Sequence, residues 1–219
     1  MTPRELIDTA EVPGGQELRL FRRGGDFFIA LDRNELMTTR MSGSEEALAT
    51  LAAERLAGRK RIRVLIGGYG MGFTLRAALS AMPQAEVTVA EIVPAIIDWA
   101  RGPMAALTAG CLDDPRTRVF AGDVADAIRG GGWDAILLDV DNGPDGLSRP
   151  ENDGLYRAGG LAATRAALNP GGVLAVWSAG PDAVFAKRMR TAGFATDEVA
   201  VRARSNGKGP RHVIWVGVR

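Results

Sequence analysis

The sequence predicts a doubly wound α/β fold: a mostly parallel sheet of seven strands, helices on both faces, and an antiparallel pair to finish. Three observations carry this. From Ile62 onward, short apolar runs alternate with helix-like stretches. The first of these runs, Arg63-Val-Leu-Ile66, breaks at a glycine turn, Gly68-x-Gly70-x-Gly72, before a helix from Phe73 to Met82. The chain then ends in two strand-like runs, Ala195 to Arg204 and Arg211 to Val218, joined by Ser205-Asn-Gly-Lys-Gly-Pro210.

Residues 1–41 read differently and are expected to form a small β extension to a main domain at 42–219. Gln16 to Arg22 and Asp26 to Leu31 flank Arg23-Gly24-Gly25 as a β-hairpin, and Glu35 to Thr38 reads as a third short strand. Such a meander is too small to be stable alone and should pack on the main domain. Phe21, Phe27 and Phe28 would suit docking onto the main domain, and equally a homodimer. Ser42 or Ser44 can cap a helix running to about Leu56, with Leu48, Leu51, Ala52 and Leu56 on one face. The basic cluster Arg59-Lys-Arg61 and Arg63 has no interleaved aromatics, so it reads as a helix-to-strand connection rather than a nucleic-acid patch.

The remaining elements keep to the alternation. Val87 to Ala90 is a strand ending at Glu91, and a helix runs from about Pro94 to Leu107. Thr117 to Ala121 is a strand ending at Gly122-Asp123, and Trp133-Asp-Ala-Ile-Leu-Leu-Asp139 is a strand whose last residue is a carboxylate. A polar stretch leads to a helix from about Asp153 to Leu168. Val173 to Ser178 is the fifth strand, and Pro181 to Ala192 the next helix. A dehydrogenase-type Rossmann sheet would continue as strand-helix units. The terminal hairpin instead predicts a methyltransferase-like Rossmann sheet, with an antiparallel strand inserted at its edge.

Composition excludes several classes. A net charge of +1 gives no electrostatic case for nucleic acid or membrane as a partner. The longest apolar runs fall short of a bilayer span, and the N-terminus has no secretory apolar stretch, so a cytoplasmic protein is expected. One cysteine, Cys111, and one histidine, His212, leave no zinc ligand set. Both read as packing residues, and no metal is expected.

In open α/β sheets ligands lie beyond the carboxyl ends of the strands, where strand order reverses. There this chain places a glycine turn (Gly67, Gly68, Tyr69, Gly70, Gly72) and three acids, Glu91, Asp123 and Asp139. Glycines let backbone approach a ligand, and an acid about twenty residues further on can take both hydroxyls of a ribose. The expected nucleoside site is therefore these glycines and Tyr69, Glu91 with Ile92, and Asp123 with Val124. Asp123 can accept from an adenine amino group, or it can simply cap a helix. Tyr69 can cover the ligand or pack on the hairpin, whereas Trp99 and Trp177 read as core. Asp139 faces the reacting end, where a carboxylate can hold an amine in line with a carbon beside a sulfonium and accept its proton.

These motifs resemble the spermidine synthase (polyamine aminopropyltransferase) family, in its short bacterial form. The resemblance runs from about Gly15 to Ala179 through Leu65-Ile-Gly-Gly68, Glu91-Ile92, Gly122-Asp123, Trp133 to Asp139 and Pro170-Gly-Gly172. It implies a transferase that moves an aminopropyl group from decarboxylated S-adenosylmethionine to a small amine, with Asp139 catalytic. The same fold also serves S-adenosylmethionine-dependent methyltransferases and non-catalytic nucleoside-binding proteins. Three positions depart from the family. Gly70 stands where it has the acid that grips the aminopropyl ammonium, Asn142 where it has an acid that binds polyamine, and Ser44-Glu45-Glu46 where it has Tyr followed by Gln-Glu or His-Glu. Asp141, Asn142 and Tyr156 are the expected acceptor-binding residues, with Asp145, Glu151 and Asp153 as further acids able to hold a cation.

Overall fold

A computed structural model of the chain describes residues 3–13, 15–32, 34–140 and 153–219. Two sheets organise them. The smaller is an antiparallel meander, β1 (Glu5–Glu11), β2 (Glu17–Arg23), β3 (Asp26–Leu31) and β4 (Asn34–Thr38), paired in that order. The larger contains β5 (Arg63–Gly67), β6 (Glu86–Glu91), β7 (Thr117–Ala121), β8 (Trp133–Leu138), β9 (Leu168–Ser178), β10 (Ala195–Arg202) and β11 (Arg211–Val218). Its spatial order is β10-β11-β9-β8-β5-β6-β7. Pairing is parallel from β7 across to β9, while β11 lies between β9 and β10 and runs against both. The predicted seven-strand sheet with its inserted antiparallel strand is the one observed. Strand order reverses at β5, which β6 and β8 flank.

Among the described residues seven α-helices accompany the strands: α1 (Gly43–Arg55), α2 (Phe73–Ala81), α3 (Pro94–Arg101), α4 (Val124–Arg129), α5 (Asp153–Tyr156), α6 (Ala158–Ala167) and α7 (Ala183–Thr191). Central strands are buried on both faces, so their residues alternate between two cores. Val64 and Ile66 of β5 join one core while Leu65 joins the other, and Ala135 and Leu137 of β8 alternate likewise with Ile136 and Leu138. The first core takes Leu48 and Ala52 of α1, Leu75 of α2 and Trp99 of α3, and continues into Leu20 and Ile29 of the small sheet. The second takes Ile128 of α4, Leu161 of α6 and Phe185 of α7.

Several elements differ from the sequence-based expectation. The strand β1 is not predicted, because Glu5 to Glu11 shows no apolar alternation; it is an exposed edge strand held by pairing to β2 and by the Trp99 indole N–H donating to Asp8 at 2.7 Å. The helix expected to reach Leu107 stops at Arg101, and a 3₁₀ turn, Ala105–Leu107, comes after Gly102. The helix expected from Asp153 to Leu168 is two segments, α5 and α6. Gly160 packs against the α5 carbonyls, where a Cβ would fall 2.1 Å from the Gly154 oxygen. Ser42 occupies the cap position of α1 without a side-chain cap bond. Phe27 and Phe28 are both buried; Phe27 joins the first core, and the Arg4 guanidinium covers Phe28 at 4.5 Å.

The basic cluster has structural work. Asp134, buried at the start of β8, accepts from Arg59 Nη1 at 2.8 Å, the Arg63 backbone N–H at 2.9 Å and Asn169 Nδ2 at 3.0 Å. The Arg63 guanidinium also stacks over Trp133, 4.6 Å from the ring. Removing this carboxylate would strand three donors at the amino-terminal edge of the sheet. Asp134→Ala is expected to cost about 2–4 kcal/mol of unfolding free energy, the range for breaking a buried charge-assisted network. Chemical denaturation measures it, and a loss below about 0.5 kcal/mol would show that these bonds contribute nothing net.

Candidate functional site

The turn after β5 is held to both neighbouring strands. Gly68 N–H donates to the Ala90 carbonyl at 2.8 Å, and Asp139 N–H donates to the Gly67 carbonyl at 3.0 Å. Gly68 has φ +83°, and a Cβ there would lie 2.7 Å from the Asp139 carbonyl oxygen, so sterics and backbone conformation both require glycine. Gly72, at φ +77°, admits the Tyr69 ring, whose hydroxyl would lie 2.5 Å from any Cβ at that position. The Tyr69 hydroxyl sits 3.3 Å from Thr108 Oγ1 and 3.8 Å from Cys111 Sγ.

Glu91 is buried at the end of β6. Its Oε2 accepts from the Tyr69 N–H at 2.9 Å and its Oε1 from the Val93 N–H at 2.8 Å. Burial pushes its pKa up, and these backbone donors oppose that shift. Each carboxylate oxygen keeps further acceptor capacity, enough for two vicinal hydroxyls. Asp123 caps α4 by accepting from Ala125 N–H at 2.8 Å and also lines the same space.

A cavity of about 370 Å³ opens along this edge. Gly68, Tyr69, Gly70, Glu91, Ile92, Asp123, Val124 and Asp139 all line it. Gly67 and Gly72 do not; they shape the turn, and a Cβ on Gly67 would press 2.9 Å from Val124 Cγ2. The far wall comes from the small sheet and its exit, including Leu18, Leu31, Met37 and Met41. Tyr156 departs from expectation. It is buried against the Phe185 ring, its hydroxyl donates to the Val140 carbonyl at 3.3 Å, and it is not among the lining residues. Asp141, Asn142, Asp145 and Glu151 lie outside the described residues, as does the side chain of Asp153.

Sequence reasoning placed Asp139 at one end of the cavity but missed the company it keeps. There α1 brings Glu45, β9 brings Trp177 and β11 brings His212, beside Asp139. Trp177, expected in the core, is a lining residue whose indole N–H is buried without a hydrogen-bond partner among the described residues. His212, expected as packing, lies 4.8 Å from the Trp177 ring centre and bonds through Nδ1 to Ser44 Oγ at 2.9 Å. Ser44 Oγ in turn donates to Glu45 Oε2 at 2.8 Å. Thr74 Oγ1 donates to Asp139 Oδ2 at 2.6 Å and also approaches the Glu45 carbonyl at 3.4 Å. No motif spacing joins residues from such distant segments.

The two acids at this end disturb each other. Burial raises Asp139 to about 6, against the Thr74 hydrogen bond. Burial, and then the charge of Asp139, raise Glu45 to about 8. Burial lowers His212, keeping the imidazole neutral near pH 7. Among the described residues no group of three or more His, Cys, Asp and Glu could hold a metal ion, and no helix is long and apolar enough to cross a membrane.

No family model matches the chain. It is 28% identical over 203 residues to the polyamine aminopropyltransferase of Mycobacterium tuberculosis, which covers 88% of this chain and 38% of that protein. It is 34% identical over 154 residues to polyamine aminopropyltransferase 1 of Streptomyces coelicolor, covering 66% of this chain and 28% of that one. The chain thus spans well under half the length of these relatives. In three dimensions it matches the spermidine synthase of Thermotoga maritima with a TM-score of 0.79 at 21% identity, covering 98% of this chain and 72% of that one. The fold therefore defines a methyltransferase-like α/β protein. Within that class, the chain is a relative of the polyamine aminopropyltransferases, the spermidine synthase family.

The raised acids carry a linkage consequence. A carboxyl with a higher pKa folded than unfolded binds more protons when folded, so stability falls as pH rises between the two values. For Glu45 that window runs from 4.5 to about 8. Glu45→Gln removes this loss, so the melting temperature of the variant minus that of the unaltered protein should grow from pH 5 to pH 8 and then level off. Thermal melts at several pH values test this, and a difference independent of pH would rule out a protonated Glu45.

Proposed function

We propose that this chain transfers an alkyl group, in aminopropyl form, from an adenosyl sulfonium donor to a small amine. One observation carries the reading. A single cavity has a glycine turn, Glu91 and Asp123 on its nucleoside side and Asp139 at the other end. The kinship with polyamine aminopropyltransferases supports decarboxylated S-adenosylmethionine as donor. Glu91 takes the ribose hydroxyls, Asp123 accepts from the adenine amino group, and Gly68, Tyr69 and Gly70 bring backbone against the nucleoside, with Ile92 and Val124 packing beside it. The amine attacks the carbon next to sulfur, an N–C bond forms as the C–S bond breaks, and a neutral thioether leaves. The proton released from nitrogen passes to Asp139.

The protein supplies position and charge rather than covalent chemistry. Asp139 suits the proton step because burial lifts its pKa to about 6, close to the working range of a general base. Turnover should therefore rise through about pH 6 as this group ionises. A pH–rate profile without that limb would remove Asp139 from the role.

Binding and turnover separate the residues. Glu91→Ala is expected to weaken methylthioadenosine binding at least about 100-fold, from two lost charged hydrogen bonds and a disrupted turn. Asp139→Asn should leave that affinity within a few-fold yet lower turnover by about 10³ or more. Calorimetric titration with methylthioadenosine, S-adenosylmethionine and its decarboxylated form, alongside single-turnover assays, checks each expectation. Preference for intact S-adenosylmethionine would transfer the chain to methyl transfer, and wild-type affinity in Glu91→Ala would sink the ribose assignment.

A further inference from the structure

The acid at Gly70 that the family resemblance calls for is absent, and the Gly70 backbone faces Met37 of β4, whose sulfur would lie 3.3 Å from a Cβ. Negative charge has entered the cavity from another direction, through Glu45 near the start of α1. The adjacent Glu46 is already neutralised, bonded to Arg76 of α2 at 2.6 Å. Among the described residues neither Glu45 nor Asp139 has an ion-pair partner, although both line the cavity. Two carboxylates brought close with no protein cation repel each other, and this repulsion is relieved by a shared proton or by a bound cation. The indole N–H of Trp177 at the same end has no hydrogen-bond partner among the described residues and can donate only to an acceptor, such as a carboxylate oxygen.

We propose that Glu45 is the second carboxylate of the acceptor end and that, with Asp139, it selects a small primary ammonium cation. This rests on the transferase reading above and names the residue that would set its acceptor class. Thr74 holds Asp139 in place, and the line from His212 through Ser44 orients the Glu45 carboxyl. The groups facing Glu45 are Asp139 at the end of β8, Glu46 on its own helix and neutral His212 on β11. With burial, the two acids hold its proton in the empty site. An arriving ammonium reverses that preference, so Glu45 ionises and the pair closes on the cation. A neutral molecule of the same length offers no such exchange and is rejected by the cost of leaving the pair uncompensated.

The experiment is calorimetric titration of the protein, saturated with methylthioadenosine, with 1,4-diaminobutane and with the neutral isostere 1,4-butanediol. The diamine should bind at least about tenfold more tightly than the diol. Repeating the titration near pH 7 in buffers of different ionisation enthalpy should reveal proton release on diamine binding, a readout that needs no variant. Glu45→Gln should lose at least about tenfold in diamine affinity and most of the proton release, while methylthioadenosine binds within about twofold of the unaltered protein. Equal diamine affinity in Glu45→Gln, equal affinity for diamine and diol, or no proton release would each overturn the assignment of Glu45. Failure of the unaltered protein to bind methylthioadenosine would instead bring down the transferase reading itself.

Discussion

The turn at Gly67-Gly68-Tyr69 is bonded to both neighbouring strands at once, and the cavity exists because of that. Gly68 donates to Ala90, Tyr69 donates to Glu91, and Gly67 accepts from Asp139. The ends of β6, β5 and β8 are thereby locked in register where strand order reverses. A side chain on Gly68 would push Asp139 away, so the conformational freedom of one residue fixes the position of a carboxylate in another strand. The same bonds satisfy the backbone groups that a buried turn would otherwise leave without partners.

Burial has two consequences at this edge. It raises the pKa of Glu91, Asp139 and Glu45, and it makes every remaining charge more sensitive to what enters the cavity. For Glu91 two backbone N–H bonds oppose that shift. Asp139 and Glu45 do not have two such backbone bonds. Hydroxyls of Thr74 and Ser44 donate to them, and Glu45 responds to the charge of Asp139. Glu91 is thus held at both oxygens by backbone donors, whereas Glu45 responds to the charge beside it.

The small sheet completes the enclosure. Leu18, Leu31 and Met37 close the wall opposite the nucleoside edge, while Leu20 and Ile29 share a core with α1 and the main sheet. Its packing therefore stabilises the fold and excludes water from the cavity together. Trp99 adds a tie by reaching from α3 to Asp8 of the edge strand.

Much of this was legible in the residues. Two-core alternation comes from continuous apolar strands, the reversal point from a glycine turn, and the cavity acids Glu91, Asp123 and Asp139 from their places at three strand ends, because these signals are local in sequence. Tyr156 misled because an aromatic beside a polar stretch carries no information on which way it turns; packing against Phe185 decided that. The acceptor end was decided only in three dimensions. Glu45, Thr74, Trp177 and His212 come from separate helices and strands and each alone reads as ordinary, whereas Asp139 was marked by its place at a strand end. Only the docking of α1 against the carboxyl edge of the sheet brings Glu45 within reach of the charge on Asp139, and charge coupling depends on distance through space, which sequence spacing does not encode.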